Sequence, residues 1–249
     1  ETLSEENTVA LYGEELSASV SRIEKFFRCP FSHFTSYGLR LEERNEYKLE
    51  SFAMGDLFHE ALRTILTSND EPPKTYSECL LKARATVEPL VGVFSYSILD
   101  SSSRYMYIKE KLIRVVARTL FALTEHAKVS KFKPIVHEKP FGKRDDKSTT
   151  DAENALPALE IELNGRRKMI LRGQIDRIDA YEEKNSVYLR VVDYKSFSRD
   201  IDLNEVYHGL SLQLLTYLDV ALKNAPLLLP EAEKEIIVAP AGMLYVHVH

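Results

Sequence analysis

Residues 168–195 decide the fold of this chain, and they read KMILRGQIDRIDAYEEKNSVYLRVVDYK. Two runs rich in β-branched and aromatic residues, 168–181 and 186–194, flank the polar segment 182–185. β-Branched and aromatic residues favour strands, and a short polar segment between two such runs favours a tight turn. The stretch therefore predicts two antiparallel strands that are joined as a hairpin.

A turn centred on Lys184 and Asn185 fixes which residues face each other across this hairpin. The numbers of cross-strand partners then sum to 369, which places Asp176 opposite Asp193. A slip of one residue would move every side chain to the wrong face. The apolar face pairs Ile178 with Val191 and Ala180 with Leu189, and the other face pairs Asp179 with Arg190 and Tyr181 with Tyr188.

Asp176, Asp193 and Lys195 are expected on one face of the hairpin, because residues two apart in a regular strand share a face. Two carboxylates about 5 Å apart repel by roughly 3 kcal/mol at an effective dielectric constant near 20. A positive group is therefore expected between them. Either Lys195 alone neutralises the acids as a structural cluster, or a divalent cation, Mg²⁺ or Mn²⁺, binds there and Lys195 orients the attacking water.

Further motifs surround this Asp, Asp-x-Lys pattern, and their order resembles the RecB-like branch of the PD-(D/E)XK nuclease superfamily. Gly55 and His59 resemble the G-x-x-x-H helix motif of that branch. Gln213 and Tyr217 resemble its Q-x-x-x-Y motif.

Two longer strings narrow the resemblance. Residues 19–34 (SVSRIEKFFRCPFSHF) and 241–245 (AGMLY) resemble the C-terminal nuclease region of the AddB family, the second subunits of bacterial AddAB helicase-nucleases. The resemblance covers nearly the whole chain.

The resemblance implies an α/β (α+β) fold with an αβββαβ core, in which helices flank a mixed sheet and a helical region is inserted. Residue patterns agree with this expectation. Helices are predicted near 52–67, 77–88, 103–128 and 205–223, and strands near 135–141, 157–163, 168–181, 186–194 and 236–248. We expect a single nuclease domain over 1–249, mainly helical in 1–133 and with its sheet core in 134–249.

The first helix of the string 19–34 has a predicted start and end. Ser21 and Glu24 match the capping-box pattern at its beginning. Pro30 should bend or end it, since proline interrupts a helix.

The resemblance also implies roles for individual side chains. Asp176, Asp193 and Lys195 are the implied catalytic residues. The implied metal ligands are Asp176, Asp193, His59 and the backbone carbonyl of Tyr194.

Three more residues are assigned to the margin of the site. Glu138 matches an acidic family position loosely, and it is interpreted as orienting Lys195 or binding a second metal. Gln213 and Tyr217 are interpreted as contacting DNA or supporting the lysine. The alternative is a helix that packs on the sheet and leaves these two polar residues at its solvent edge.

Cysteine usage adds an iron-sulfur question. In the AddB family a cysteine at the position of Cys29 is one of four that hold a [4Fe-4S] cluster, and the other three follow in a C-terminal segment. Cys79 does not fit that pattern. The cluster is therefore expected in the parent protein and not in this chain.

The net charge of −5 does not favour DNA binding, because phosphate contacts usually need a basic surface. Local clusters can supply one, so weak binding is expected. Candidate clusters are Lys139, Lys143 and Arg144, then Arg166, Arg167 and Lys168, then Lys195 and Arg199.

Other functions and locations are disfavoured by what the sequence lacks. It has no G-x-x-x-x-G-K-[ST] phosphate loop, so no ATPase activity is expected. No apolar run approaches the roughly 20 residues that cross a bilayer, and the start has no signal-peptide pattern. We expect a fragment of a longer bacterial protein that is cytoplasmic and associates with the nucleoid during repair.

Together these inferences predict a Mg²⁺-dependent nuclease domain, with one or two ions, that cuts single-stranded DNA unwound from a double-strand break. The resemblance assigns it the 5'-terminated strand and an AddA-type helicase-nuclease subunit as partner. A Cas4-like iron-sulfur exonuclease and a catalytically inert scaffold that clamps DNA or a partner are the alternatives. The strings 19–34 and 241–245 favour AddB over Cas4, and the intact acids and lysine argue against the scaffold.

Overall fold

The structure of the chain is a computed structural model. It describes residues 3–41, 51–68, 70–93, 99, 101–142, 155–163, 167–195, 200–230 and 236–248. The predicted polar loop over 143–155 lies almost entirely outside these residues, as do Lys143, Arg144, Arg166 and Arg199.

Helices and strands alternate along the described chain. The helices are α1 (Glu5–Tyr12), α2 (Val20–Arg28), α3 (Pro30–His33), α4 (Ser51–Thr67), α5 (Tyr76–Val93), α6 (Ser103–Val129), α7 (Leu203–Tyr207), α8 (Gln213–Lys223) and α9 (Ala225–Leu228), with a π-helix over Phe34–Gly38. The strands are β1 (Glu15–Ser19), β2 (Lys133–Phe141), β3 (Leu159–Glu162), β4 (Lys168–Glu183), β5 (Ser186–Lys195) and β6 (Ile237–His247).

One sheet contains all six strands, and its path runs β1, β4, β5, β6, while β2 and β3 also pair with β4. β1 pairs with β4 in parallel, and β3 and β5 pair with it antiparallel. The predicted mixed sheet with helices is therefore confirmed. β4 is the central strand, since four other strands pair with it.

The chain forms two compact units. The first contains the described residues of Glu1–Asn45, Glu138–Asp193 and Asp200–Leu244. The second contains those of Glu46–His137, Tyr194–Arg199 and Tyr245–His249.

In the first unit, the N-terminal segment differs from its prediction in two ways. Strand β1, which the sequence pattern did not predict, precedes α2. The helix is capped by Ser19, whose side chain accepts a hydrogen bond from the Arg22 N–H, so the capping box assigned to Ser21 and Glu24 was wrong. The predicted effect of Pro30 is confirmed, because α2 ends at Arg28 and Pro30 begins α3.

The helix predicted over 205–223 is two helices, α7 and α8. Gly209 lies between them with a φ of 74°, a left-handed conformation that glycine adopts easily. A Cβ atom at this position would lie 2.6 Å from Cδ2 of Phe27. The turn needs glycine for both reasons, and it lets α8 start at Gln213.

The second unit is built on α4, α5 and α6. Apolar side chains at helical spacing on α4 are buried as predicted: Leu57, Phe58, Ala61, Leu62 and Ile65. Helix α5 continues through Pro89 to Val93, beyond its predicted end at 88. In the described part of the chain no helix is both long and apolar enough to cross a membrane.

Candidate functional site

The hairpin of β4 and β5 has the predicted register. Cross-strand partners run from Arg177 opposite Val192 to Glu183 opposite Ser186, and every pair sums to 369. Asp176 and Asp193 come next after the first of these pairs. Their side chains are withdrawn from water, with relative exposures of 8% and 1%. The hairpin therefore ends in two buried acids.

The other face of the hairpin carries a buried ion network. Asp179 is 0% exposed, and its Oδ2 accepts hydrogen bonds from Nη2 of Arg190 at 2.6 Å and Nη2 of Arg177 at 3.2 Å. Two guanidinium groups thus compensate one carboxylate. This network supports the strand pairing, and by alternation it lies on the face opposite Asp176.

Glu138 of β2 lies beside Asp176. A carboxylate oxygen of each residue lies within 4.8 Å of the other. Gln174 donates a hydrogen bond of 2.7 Å from Nε2 to Oε2 of Glu138, which orients that carboxylate. Two carboxylates at this separation repel by about 3 kcal/mol at an effective dielectric constant near 20. A divalent cation would remove the repulsion and is suited to oxygen ligands.

The backbone of Glu138 is unusual for a residue in a strand. Its φ is 47°, in the left-handed region that residues with a Cβ avoid. Such a conformation costs on the order of 1–3 kcal/mol, and it is found most often at functional sites. The strained backbone of Glu138 and the position of its carboxylate both point to a functional role.

Helix α8 brings Tyr217 to the same region. Tyr217 is 6% exposed, its ring packs edge to face on Phe141 at 5.8 Å, and its hydroxyl accepts a hydrogen bond from Nε2 of Gln213 at 3.1 Å. Burial raises the pKa of the phenol, and the charges of Asp176 and Asp193 raise it further. Tyr217 therefore stays neutral near both acids. It does not lie at a solvent edge, as the packing alternative required.

Glu24 of α2 holds the start of α8, a role that the sequence pattern did not reveal. Its Oε1 accepts hydrogen bonds from the backbone N–H groups of Leu212 at 2.7 Å and Gln213 at 3.2 Å. The first N–H groups of a helix have no partner within the helix, and the positive end of the helix dipole favours a carboxylate. Glu24 therefore fixes the helix that presents Gln213 and Tyr217.

We predict that Glu24→Ala lowers the free energy of unfolding by about 1 kcal/mol, since a helix-capping carboxylate is lost. Glu24→Gln, which keeps an acceptor oxygen, should recover part of this loss. Urea denaturation followed by circular dichroism measures both. Glu14→Ala, at an exposed position, is the control for charge and should change stability little. Equal values for Glu24→Ala and Glu14→Ala would contradict the capping role.

Gly173 leaves room for the Phe141 ring. A Cβ atom added to Gly173 would lie 2.8 Å from Cε1 and 2.9 Å from Cζ of Phe141, which is fully buried. The motif glycine before Gln174 is thus explained by a close approach of ring to backbone.

Gly173→Ala should destabilise the chain by about 1–3 kcal/mol, because the added methyl group overpacks a buried ring. Combining it with Phe141→Leu should cost less than the two separate changes together. Gly242→Ala, where an added Cβ meets nothing within 4 Å, should be nearly neutral. Strict additivity of Gly173→Ala and Phe141→Leu in thermal or urea unfolding would show that the steric explanation is incorrect.

In the second unit, Tyr194 and α4 carry the remaining motif residues. The Tyr194 ring packs edge to face on Phe58 at 6.4 Å and on His59 at 6.2 Å. His59 is half-buried, one helical turn after Gly55. A Cβ atom at Gly55 would meet nothing within 4 Å, so packing among the described residues does not require this glycine. Space beside the histidine is left open.

Lys195 is the last residue of β5, so the strand stays extended over the interval in which Asp193 and Lys195 are predicted to share a face. Its backbone C=O accepts from the Val248 N–H at 2.9 Å. Its ammonium group lies 5.9 Å from the centre of the Tyr245 ring, within the range of a cation–π contact.

Comparison with known proteins decides the family. The model of the PD-(D/E)XK nuclease superfamily matches residues 17–249. The chain belongs to this superfamily. The match includes both strands of the hairpin and helices α4 and α8, which carry the G-x-x-x-H and Q-x-x-x-Y motifs.

Relatives within the PD-(D/E)XK superfamily are AddB proteins, each named as the second of the subunits of an ATP-dependent helicase/deoxyribonuclease. The AddB protein of Lysinibacillus sphaericus (strain C3-41) is 56% identical over 247 residues, which are 97% of this chain and 20% of the relative. Its counterpart from Oceanobacillus iheyensis is 42% identical over 254 residues, 100% of this chain and 21% of the relative. The chain thus spans about a fifth of the length of these relatives.

PD-(D/E)XK nucleases use divalent metals, and the Glu138 and Asp176 carboxylates form a group that can hold one. Sequence reasoning ranked Glu138 lowest among the candidate residues. A residue in left-handed conformation beside a motif aspartate is a signal that only the structure provides.

The residues present do not fit a [4Fe-4S] cluster, which takes four cysteine ligands. The chain has two cysteines. Cys29 is exposed at the start of α3, and Cys79 is fully buried in α5. Cys29 alone remains available as a thiolate at the surface.

Proposed function

We propose that this chain is the nuclease domain of a helicase-nuclease subunit and that it hydrolyses phosphodiester bonds of single-stranded DNA with the aid of Mg²⁺ or Mn²⁺. The observation that carries this proposal is the meeting of Glu138 and Asp176 carboxylates at the end of the hairpin. Their mutual repulsion gives no benefit to the metal-free fold. A nuclease that neutralises them with a divalent cation explains why they are kept together.

The proposed metal ligands come from both the structure and the resemblance. Asp176 and Glu138 supply carboxylates that already lie close together. The resemblance adds Asp193, His59 and the carbonyl of Tyr194. When bound, the cation would polarise the scissile phosphate and lower the pKa of attacking water.

The remaining residues would position the substrate and the water. The ammonium group of Lys195 would orient the attacking water and balance the charge that develops on the phosphate. The neutral phenol of Tyr217, held by Gln213, would donate a hydrogen bond beside the acids. Loss of Tyr217 or Gln213 should reduce activity less than loss of an acid.

For the whole protein, we propose the work that the names of its relatives describe. The subunit would pair with an AddA-type helicase-nuclease, which unwinds a double-strand break and delivers a single strand. The strand cut by this domain would be the 5'-terminated one. The proposal places the protein in the bacterial cytoplasm, at the nucleoid during repair.

Strand cleavage by the intact complex tests this proposal. With Mg²⁺ and a duplex labelled separately on each strand, Asp193→Ala should abolish cutting of the 5'-terminated strand and leave the other strand cut. Undiminished cutting of the 5'-terminated strand would refute the assignment. Loss of cutting of both strands at equal levels of folded complex would refute the proposed strand preference.

A further inference from the structure

A pocket of about 320 Å³ lies in the first unit, away from the carboxylates of the proposed site in sequence and in lining. Its lining residues are Leu11, Tyr12, Arg22, Ser36, Tyr37 and Arg40. Five of these six side chains carry a hydrogen-bond donor, and none is a carboxylate. Its volume is within the range of small-ligand sites. This chemistry suits an anion.

Arg22 is held in place at the pocket wall. Its Nε donates to Nε2 of His33 at 3.3 Å, its Nη1 donates to the Ser17 C=O at 2.9 Å, and its Cζ lies 4.6 Å from the centre of the Tyr37 ring. Burial, and then the charges of Arg22 and Lys25, lower the pKa of His33, which therefore remains a neutral acceptor. The guanidinium is fixed before any ligand arrives, and its Nη2 is left for one.

Ser36 adds a directed donor. Its hydroxyl oxygen accepts from Nζ of Lys25 at 2.7 Å. A hydroxyl group has one hydrogen to donate, and the ammonium group occupies a lone pair. The Ser36 hydrogen therefore has to point elsewhere, and the pocket that this side chain lines is available to it.

The positive charge of the pocket contrasts with the basic cluster that sequence reasoning favoured. There, Arg167 pairs with Glu5 at 2.6 Å and Lys168 pairs with Glu160 at 3.1 Å. Among the residues that the structure describes, no carboxylate forms such a pair with Arg22 or Arg40. In a chain with a net charge of −5, positive charge without a carboxylate in contact marks an anion site.

We propose that this pocket binds a backbone phosphate of the DNA strand that the domain processes, with Arg22 and Arg40 as the charged contacts. The inference rests on the proposed function for the identity of the anion. Arginine suits phosphate because its planar group offers paired donors. The phenols of Tyr12 and Tyr37 and the Ser36 hydroxyl complete the set of donors.

Arg40 allows a clean test. Its φ is 53°, so a replacement must tolerate the left-handed region, and asparagine does. Arg40→Asn removes the charge without new backbone strain. Lys184→Asn is the matched control, since Lys184 is an exposed cation in the hairpin turn with a φ of 55°.

The measurement is fluorescence anisotropy of a labelled oligothymidylate with the full chain in EDTA, where cleavage cannot occur, over a series of salt concentrations. One phosphate contact on a single strand contributes a slope of about 0.7 in log affinity against log salt, or about fivefold near 0.1 M salt. Arg40→Asn should lose both, and Lys184→Asn should lose neither. Equal slopes and affinities for the two variants would overturn the inference.

Two further arms separate the sources of the anion and the two proposals. Calorimetry with inorganic phosphate alone asks whether a small anion is the ligand. Binding that Arg40→Asn abolishes, with oligothymidylate affinity unchanged, would overturn the assignment to DNA. Asp193→Asn should bind oligothymidylate like wild type but fail to cut it. Cutting without an Arg40 effect would refute this inference alone, and an Arg40 effect without cutting would refute the proposed function alone.

Discussion

Asp176→Asn should lower single-strand cleavage by the full-length protein in its complex about a thousandfold or more. A metal site that loses a carboxylate ligand forfeits several kcal/mol of transition-state stabilisation. The same change should raise the free energy of unfolding of the metal-free chain by about 1 kcal/mol, because it removes the repulsion between Asp176 and Glu138. Cleavage assays with Mg²⁺ and urea denaturation in EDTA measure the two effects.

Opposite signs for activity and stability are the mark of a ligand rather than of a structural acid. Asp219→Asn is the control, because Asp219 forms a surface ion pair with Lys223 at 2.9 Å. It should leave cleavage unchanged. If Asp176→Asn destabilised the metal-free chain by several kcal/mol, the acid would be a structural residue.

Asp179→Ala should have the largest effect on stability, about 3–5 kcal/mol. Asp179 is 0% exposed and accepts from Arg177 and Arg190, whose side chains are 7% and 12% exposed. Removing the carboxylate leaves two buried guanidinium groups without compensation. Because the chain has no tryptophan, far-ultraviolet circular dichroism in urea is the suitable measurement.

Glu160→Ala provides the surface counterpart. Glu160 pairs with Lys168 at 3.1 Å, and both side chains are about half exposed. Exposed pairs contribute about 0–1 kcal/mol, so this change should have little effect. Similar losses for Asp179→Ala and Glu160→Ala would mean that burial of the Asp179 network contributes little to the fold.

The hairpin could be predicted from sequence because its information is local. The turn at Lys184 and Asn185 and the alternation of side chains on both sides fix one register. The same register aligns Asp179 with Arg190 and Asp176 next to the last pair. Local periodicity also predicted the apolar face of α4, because a single helix displays it within 17 residues.

Features that depend on distant contacts could not be predicted in this way. Glu24 lies 188 residues before Leu212, and nothing near Glu24 in sequence indicates that it accepts from that N–H. Its spacing from Ser21 matched a capping box, but tertiary structure gave the carboxylate to another helix. Strand β1 was missed for a similar reason, since its five residues pair with β4 far along the chain.

Glu138 shows the same limit within the site itself. Its strand was predicted, but its left-handed backbone depends on the neighbours of β2 in the sheet. The sequence therefore offered two roles for Glu138, orienting Lys195 or binding metal. Its proximity to Asp176 favours metal binding.

Calorimetric titration of Mn²⁺ into the full chain tests the central claim most directly. Wild type should bind Mn²⁺, Asp176→Asn should abolish or strongly weaken binding, and Glu138→Gln should weaken it, because both residues are proposed ligands. Asp219→Asn should bind like wild type. If Mn²⁺ bound with the same affinity to wild type, Asp176→Asn and Glu138→Gln, or did not bind to wild type, these carboxylates would not form the metal site of a nuclease.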